Sequence, residues 1–105
     1  MNEELTPQQA IPELEKLWAV SGFFGRLRQG DYDPDGVGVL EQLLSAIQID
    51  DNTALPRRLV SLTWWIPMFM EWQVERVAQR GGDVEQLKRD AVRLRNLLDS
   101  LLGVP

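Results

Sequence analysis

At 105 residues with 44% hydrophobic content, the chain is the size of one ordinary domain and can fill one core. It contains neither Cys nor His, which removes disulfides, thiolate nucleophiles, zinc–thiolate sites, His-ligated metals and Ser-His or Cys-His pairs together. The net charge of −5 is unevenly placed, −7 over residues 1–55 and +2 over residues 56–105; this favours a basic partner for the N-terminal half and disfavours nucleic acid there.

The first residues, Met-Asn-Glu-Glu, lack the basic and apolar regions of a signal peptide, and no apolar stretch is long enough to span a bilayer. A cytoplasmic protein without a membrane partner is therefore expected. Residues 1–5 are expected to be a flexible tail and residues 6–105 a single helical domain. Thr6-Pro7-Gln8-Gln9 matches a capping box with Pro at the first helical position. Pro12 argues instead for a later start, because it lacks a backbone donor. Leu14, Leu17, Trp18, Phe24 and Leu27 recur near a helical period and predict a first helix over about 12–29, stopped by Gly30 and weakened by Gly22 and Gly25.

The next string, Asp31-Tyr32-Asp33-Pro34-Asp35-Gly36, places three carboxylates at alternate positions before a glycine. It resembles the first half of an EF-hand calcium loop, which needs oxygen ligands at alternate positions and then Gly for a sharp turn. Asp31, Asp33 and Asp35 would be the metal ligands. Gln42 stands where that loop needs a bidentate Glu, and Gly38 where it has a branched apolar residue. The string therefore reads first as a connection in which Asp33 or Asp35 caps the following helix, and second as a surface that meets positive charge.

Val39, Leu40, Leu43, Leu44 and Ile47 predict a second helix over about 37–49, followed by a polar break at Asp50-Asp51-Asn52-Thr53. Pro56 opens a third helix over about 56–80. Its core stripe is Leu59, Leu62, Thr63, Ile66, Phe69 or Met70, Gln73 and Val77, with a kink expected from Pro67 near Trp65. Trp65, Met68 and Trp72 form another apolar stripe on the same helix. An element apolar on two sides is either central in its domain or faces a partner. The fourth helix, about 83–102, has Asp83 as N-cap and a seam of Val84, Leu87, Ala91, Leu94, Leu98 and Leu101 that could pair with its own copy in a homodimer. The whole is expected to be an all-α, antiparallel bundle of about four helices, without strands.

Little chemistry remains. Glu71 and Glu75 stand four apart, but di-metal bundle sites also need Glu-x-x-His pairs, and no His exists. The bases Arg76, Arg80, Lys88, Arg89, Arg93 and Arg95 alternate with acids and belong to no nucleic-acid-binding motif. The chain is therefore expected to be a non-catalytic protein-interaction module without a cofactor. Its most concrete form is a small acidic inhibitor or immunity-type protein that covers a basic toxin or nuclease. Asp31, Asp33, Asp35, Asp50 and Asp51 would steer association, and Tyr32, Trp65 and Trp72 would anchor it. The alternatives are a self-associating helical scaffold and a metal-dependent helical hydrolase using Glu71, Glu75 and the acidic loop.

Overall fold

The computed structural model of the chain describes residues 4–52 and 54–105. Among them lie seven helical segments and no strand: α1 (Pro7–Trp18), α2 (Phe23–Arg28), α3 (Asp35–Ala46), α4 (Arg57–Trp64), α5 (Ile66–Trp72), α6 (Val74–Gln79) and α7 (Val84–Leu102). The four expected helices correspond to α1 with α2, to α3, to α4 through α6, and to α7. The fold is all-α, as the periodicity predicts. No helix among the described residues is long and apolar enough to cross a membrane.

Local chemistry sets the helix ends. Thr6 Oγ1 accepts the Gln9 N–H at 3.1 Å while Gln9 Oε1 accepts the Thr6 N–H at 2.9 Å, a complete capping box. The box starts α1 at Pro7 rather than near residue 12. Pro12 lies inside the helix on its exposed side, where water can replace the bond it cannot make. Asp83 Oδ1 accepts the Gln86 N–H at 3.0 Å and opens α7 as expected. Gly30, at φ +88°, closes α2 with bonds from its own N–H to Leu27 O and from Asp31 N–H to Arg26 O, a Schellman arrangement.

The expected helix over 12–29 is two helices. The backbone of Ala19 is extended and turns the chain so that α2 runs back against the end of α1. A Cβ on Gly22 would stand 2.2 Å from Lys16 O, and one on Gly25 would stand 2.0 Å from Ala19 O. These glycines permit a backbone contact that no side chain could share. The second helix ends at Ala46, earlier than expected, because Leu5 engages its end. Leu5 N–H donates to Ala46 O and Gln48 N–H donates to Leu5 O, both at 2.8 Å. Of the tail expected over 1–5, residues 1–3 lie outside the described residues and Leu5 is held by these two bonds. Thr53, in the expected polar break, also lies outside them.

The element expected over 56–80 bends twice, at Trp65 and at Gln73. Every member of its predicted stripe is buried: Leu59, Leu62, Thr63, Ile66, Phe69, Met70, Gln73 and Val77. α4 packs on α1, whereas α5 and α6 pack on α7, which also receives α3. The α7 seam is therefore internal. Leu87, Ala91, Leu94 and Leu98 are buried against neighbouring helices, and Val84 and Leu101 are half-buried. The seam is covered within the fold by α3, α5 and α6, which leaves a second copy only its half-buried ends, Val84 and Leu101. In the second helix Val39 faces solvent, and Val37 takes the core position expected of it.

The glycines give a test. Gly25→Ala forces a Cβ into two backbone oxygens, and urea unfolding should register a loss of roughly 3 kcal/mol. Gly38, inside α3 with open space around its Cβ position, should respond oppositely: Gly38→Ala should gain about 0.5–1 kcal/mol through helix propensity.

Candidate functional site

The outer side of α4 and α5 exposes three tryptophans. Trp64 ends α4, Trp65 forms the junction and Trp72 ends α5; they are 58%, 44% and 64% exposed. The Trp65 and Trp72 rings lie 5.7 Å apart, tilted against each other. Val60 is exposed and Met68 half-buried on the same side. Of the two outcomes open for this stripe, an enclosed central helix or an outward face, the structure takes the outward face. Exposed aromatic side chains grouped on one bent element are of the kind that marks binding sites on soluble domains.

A cavity of about 440 Å³ opens on one flank of this ridge, walled by Trp65, Trp72, Phe69 and Trp18, with Arg28 and Arg58 at its edge. Trp18 stacks on Phe24 at 4.2 Å and meets the Phe69 ring edge-on at 5.0 Å. Its indole N–H donates to Leu62 O at 2.9 Å. Leu62 lies in the last turn of α4, where carbonyls have no partner inside the helix, so the indole fixes the wall and satisfies the helix end together. The Arg28 guanidinium lies 5.3 Å over the Phe69 ring. Arg58 pairs with Glu15 at 3.1 Å. A second cavity, about 420 Å³, lies on the other flank between Trp64, Pro67 and Met68 and the end of α7, where Arg95 and Asp99 both contribute.

The acidic loop is largely committed within the chain. Arg26 pairs with Asp31 at 2.9 Å and with Asp33 at 3.7 Å. The hydrogen bond to Asp31 is the main reason that the guanidinium holds its proton even more firmly than usual. Asp33 Oδ1 also accepts the Asp35 N–H at 3.1 Å, at the start of α3. Asp35, Asp50 and Asp51 are exposed, and Asp50 accepts the Asn52 N–H in its own turn. Among the described residues no three acids gather as a metal-binding group, and Glu71 and Glu75 are exposed on α5 and α6. Arg76, which the sequence places near Trp72, donates instead to Arg28 O, and Arg80 donates to Gln29 O at 3.2 Å. Both cations thereby sit at the C-terminal end of α2.

Tyr32 is not an exposed anchor. It turns inward, edge-on to Phe23 at 6.1 Å, and its O–H donates to Asp90. Asp90 is 1% exposed on α7 and accepts further bonds from Gln86 Nε2 at 2.8 Å and Arg93 at 3.3 Å. Arg93 reaches across to Glu41 of α3 at 2.7 Å. Burial first, and then the bond to Asp90, push the Tyr32 hydroxyl well above its ordinary pKa. Sequence reasoning passed over Asp90, although its place between Leu87 and Leu94 puts a carboxylate on an apolar face. It also passed over Arg28, for which no local signal exists.

Comparison with protein-family models, curated proteins and solved structures found no match for this chain.

Tyr32 is the single tyrosine, so its role is separable. Its proton is held more tightly in the folded than in the unfolded chain; its contribution is complete below the ordinary tyrosine pKa of about 10 and is lost as pH rises above that value. Unfolding free energy measured in urea should fall between about pH 9 and 11, and Tyr32→Phe should remove that part of the fall. At neutral pH Tyr32→Phe should cost about 1.5 kcal/mol, and Asp90→Ala roughly 3 kcal/mol, because the latter strips the acceptor from three donors.

Proposed function

We propose that this chain is a non-catalytic protein-interaction module whose contact surface is the tryptophan face of α4 and α5. One observation carries the reading: three tryptophans stand exposed along one bent element whose opposite side fills the core. Exposing such rings opposes the hydrophobic effect, and Trp and Arg are the residues that concentrate binding energy when an interface covers them. A cavity borders the ridge on each side, so a partner's side chains can be received as well as covered. The hydrolase alternative draws no comparable support, since Glu71 and Glu75 face solvent and no acidic cluster converges among the described residues.

A second reading, an acidic inhibitor or immunity-type protein on a basic toxin or nuclease, is supported by Asp35, Asp50 and Asp51, which are exposed and carry no ion pair among the described residues. It draws less from Asp31 and Asp33, which both pair with Arg26 and so have half of their charge offset.

Capture from a lysate with the wild-type chain and with a Trp65→Ala/Trp72→Ala variant tests the leading reading. The variant's melting curve should show a folded protein, since the side chains are 44% and 64% exposed and neither belongs to the buried core. It should weaken the identified partner by at least about tenfold in Kd, or about 1.4 kcal/mol. A partner held equally by both proteins would overturn the assignment. For the second reading, replacing Asp35, Asp50 and Asp51 by Asn should slow association and flatten its salt dependence, as measured by stopped-flow mixing.

A further inference from the structure

We infer that the cavity beside Trp65 and Trp72 receives an acidic peptide segment of the partner, one in which a carboxylate lies next to a bulky apolar side chain. This rests on the reading of the tryptophan face as the contact surface, and it names the chemistry of what docks there. The cavity wall contains two arginines and no acid, although the chain as a whole carries −5. Of the two, the Arg28 guanidinium carbon stands 5.3 Å over the Phe69 ring, and its N–H groups make no hydrogen bond or ion pair with a described residue. A guanidinium with free N–H groups can give a bidentate bond to a carboxylate, and the ring beside it favours the cation. Arg58 supplies a second cation, and its exposed pair with Glu15 is of the weak kind that a partner's acid can share or displace.

The apolar half of the specificity comes from the walls. Trp65, Trp72 and Phe69 line an open cleft whose volume falls within the range of ligand clefts, roughly 300–1,000 Å³. An aromatic or leucine side chain fits such a wall with little loss of rotamer freedom. The cavity on the opposite flank of the ridge lacks this selectivity, because Arg95 and Asp99 both line it and their charges offset. A basic segment would meet the unpaired Arg28 and an Arg58 held only by an exposed ion pair, which works against it.

Selection of the intact wild-type chain against a random library of roughly 12-residue peptides, counter-selected on the Trp65→Ala/Trp72→Ala variant, tests the inference. The enriched peptides should carry Asp or Glu within a few positions of Trp, Phe or Leu. A synthetic peptide from that set should lose at least about tenfold in affinity on Arg28→Gln and less on Arg28→Lys, which keeps the charge without the planar fork. Arg95→Gln, at the other cavity, should leave its affinity unchanged. Melting curves of all variants establish that each is folded. Peptides rich in Lys or Arg, or peptides indifferent to Arg28→Gln, would overturn the acidic occupant while leaving the tryptophan face as the contact surface. If no peptide distinguishes the wild type from the double variant, both readings fall. Binding to phosphatidylserine vesicles that is lost in the double variant, in place of any peptide, would reassign the face to a membrane surface.

Discussion

Pro67 has no N–H to give the carbonyl of Thr63, and the architecture is arranged around that missing bond. Without it the segment from Arg57 to Gln79 could run straight, and its apolar stripe would face one neighbour. With it the helix breaks at Trp65, so that α4 packs on α1 and α5 packs on α7, while Phe69 of α5 meets Trp18 of α1 and Phe24 of α2. Thr63, buried beside the break, returns its hydroxyl to Leu59 O and Val60 O, a bond that favours bending. One element therefore serves two packing surfaces. Trp64 and Trp65 stand at the break itself and remain 58% and 44% exposed.

The second organising contact joins the two ends of the bundle that Pro67 does not reach. The loop after α2 could swing freely on Gly30, yet Tyr32 reaches from it to a buried carboxylate on α7. A buried charge is costly unless its bonds are made, and Asp90 has donors from Tyr32, Gln86 and Arg93. Arg93 extends the contact to Glu41. Loop, α3 and α7 thus share one polar knot within an otherwise apolar core. This fixes the loop's position, and with it the end of α2 that presents Arg28 to the aromatic cavity.

The parts of the fold legible in sequence were those decided within one helix. The stripe of the third helix follows from a spacing of three and four, and all of it is buried. The caps at Thr6 and Asp83 involve partners three residues away and are equally local. The third-helix kink follows from Pro67 alone. What spacing does not encode is which neighbour covers a face. The seam of α7 would look the same whether it met another copy or, as it does, α3 and α5. Trp65 and Trp72 shared a face on the page, but only the fold decides that this face points outward. Gly22 and Gly25 read as weak points in one helix because the backbone they approach is brought there by a turn at Ala19.

Charge misleads in the same way when summed along the chain. Residues 1–55 carry −7, which makes an acidic surface the natural expectation. Two of the acids behind that sum, Asp31 and Asp33, share an ion pair with Arg26 of the preceding helix. Arg28, two residues later in the same acidic half, instead meets Arg58 from the basic half at the rim of the aromatic cavity. The most specific positive spot therefore draws on both halves, and no sum over a sequence segment contains it. Recognition by this surface depends on which side chains the bend at Trp65 brings together; the net charge sets only the weaker, longer-range field in which that recognition occurs.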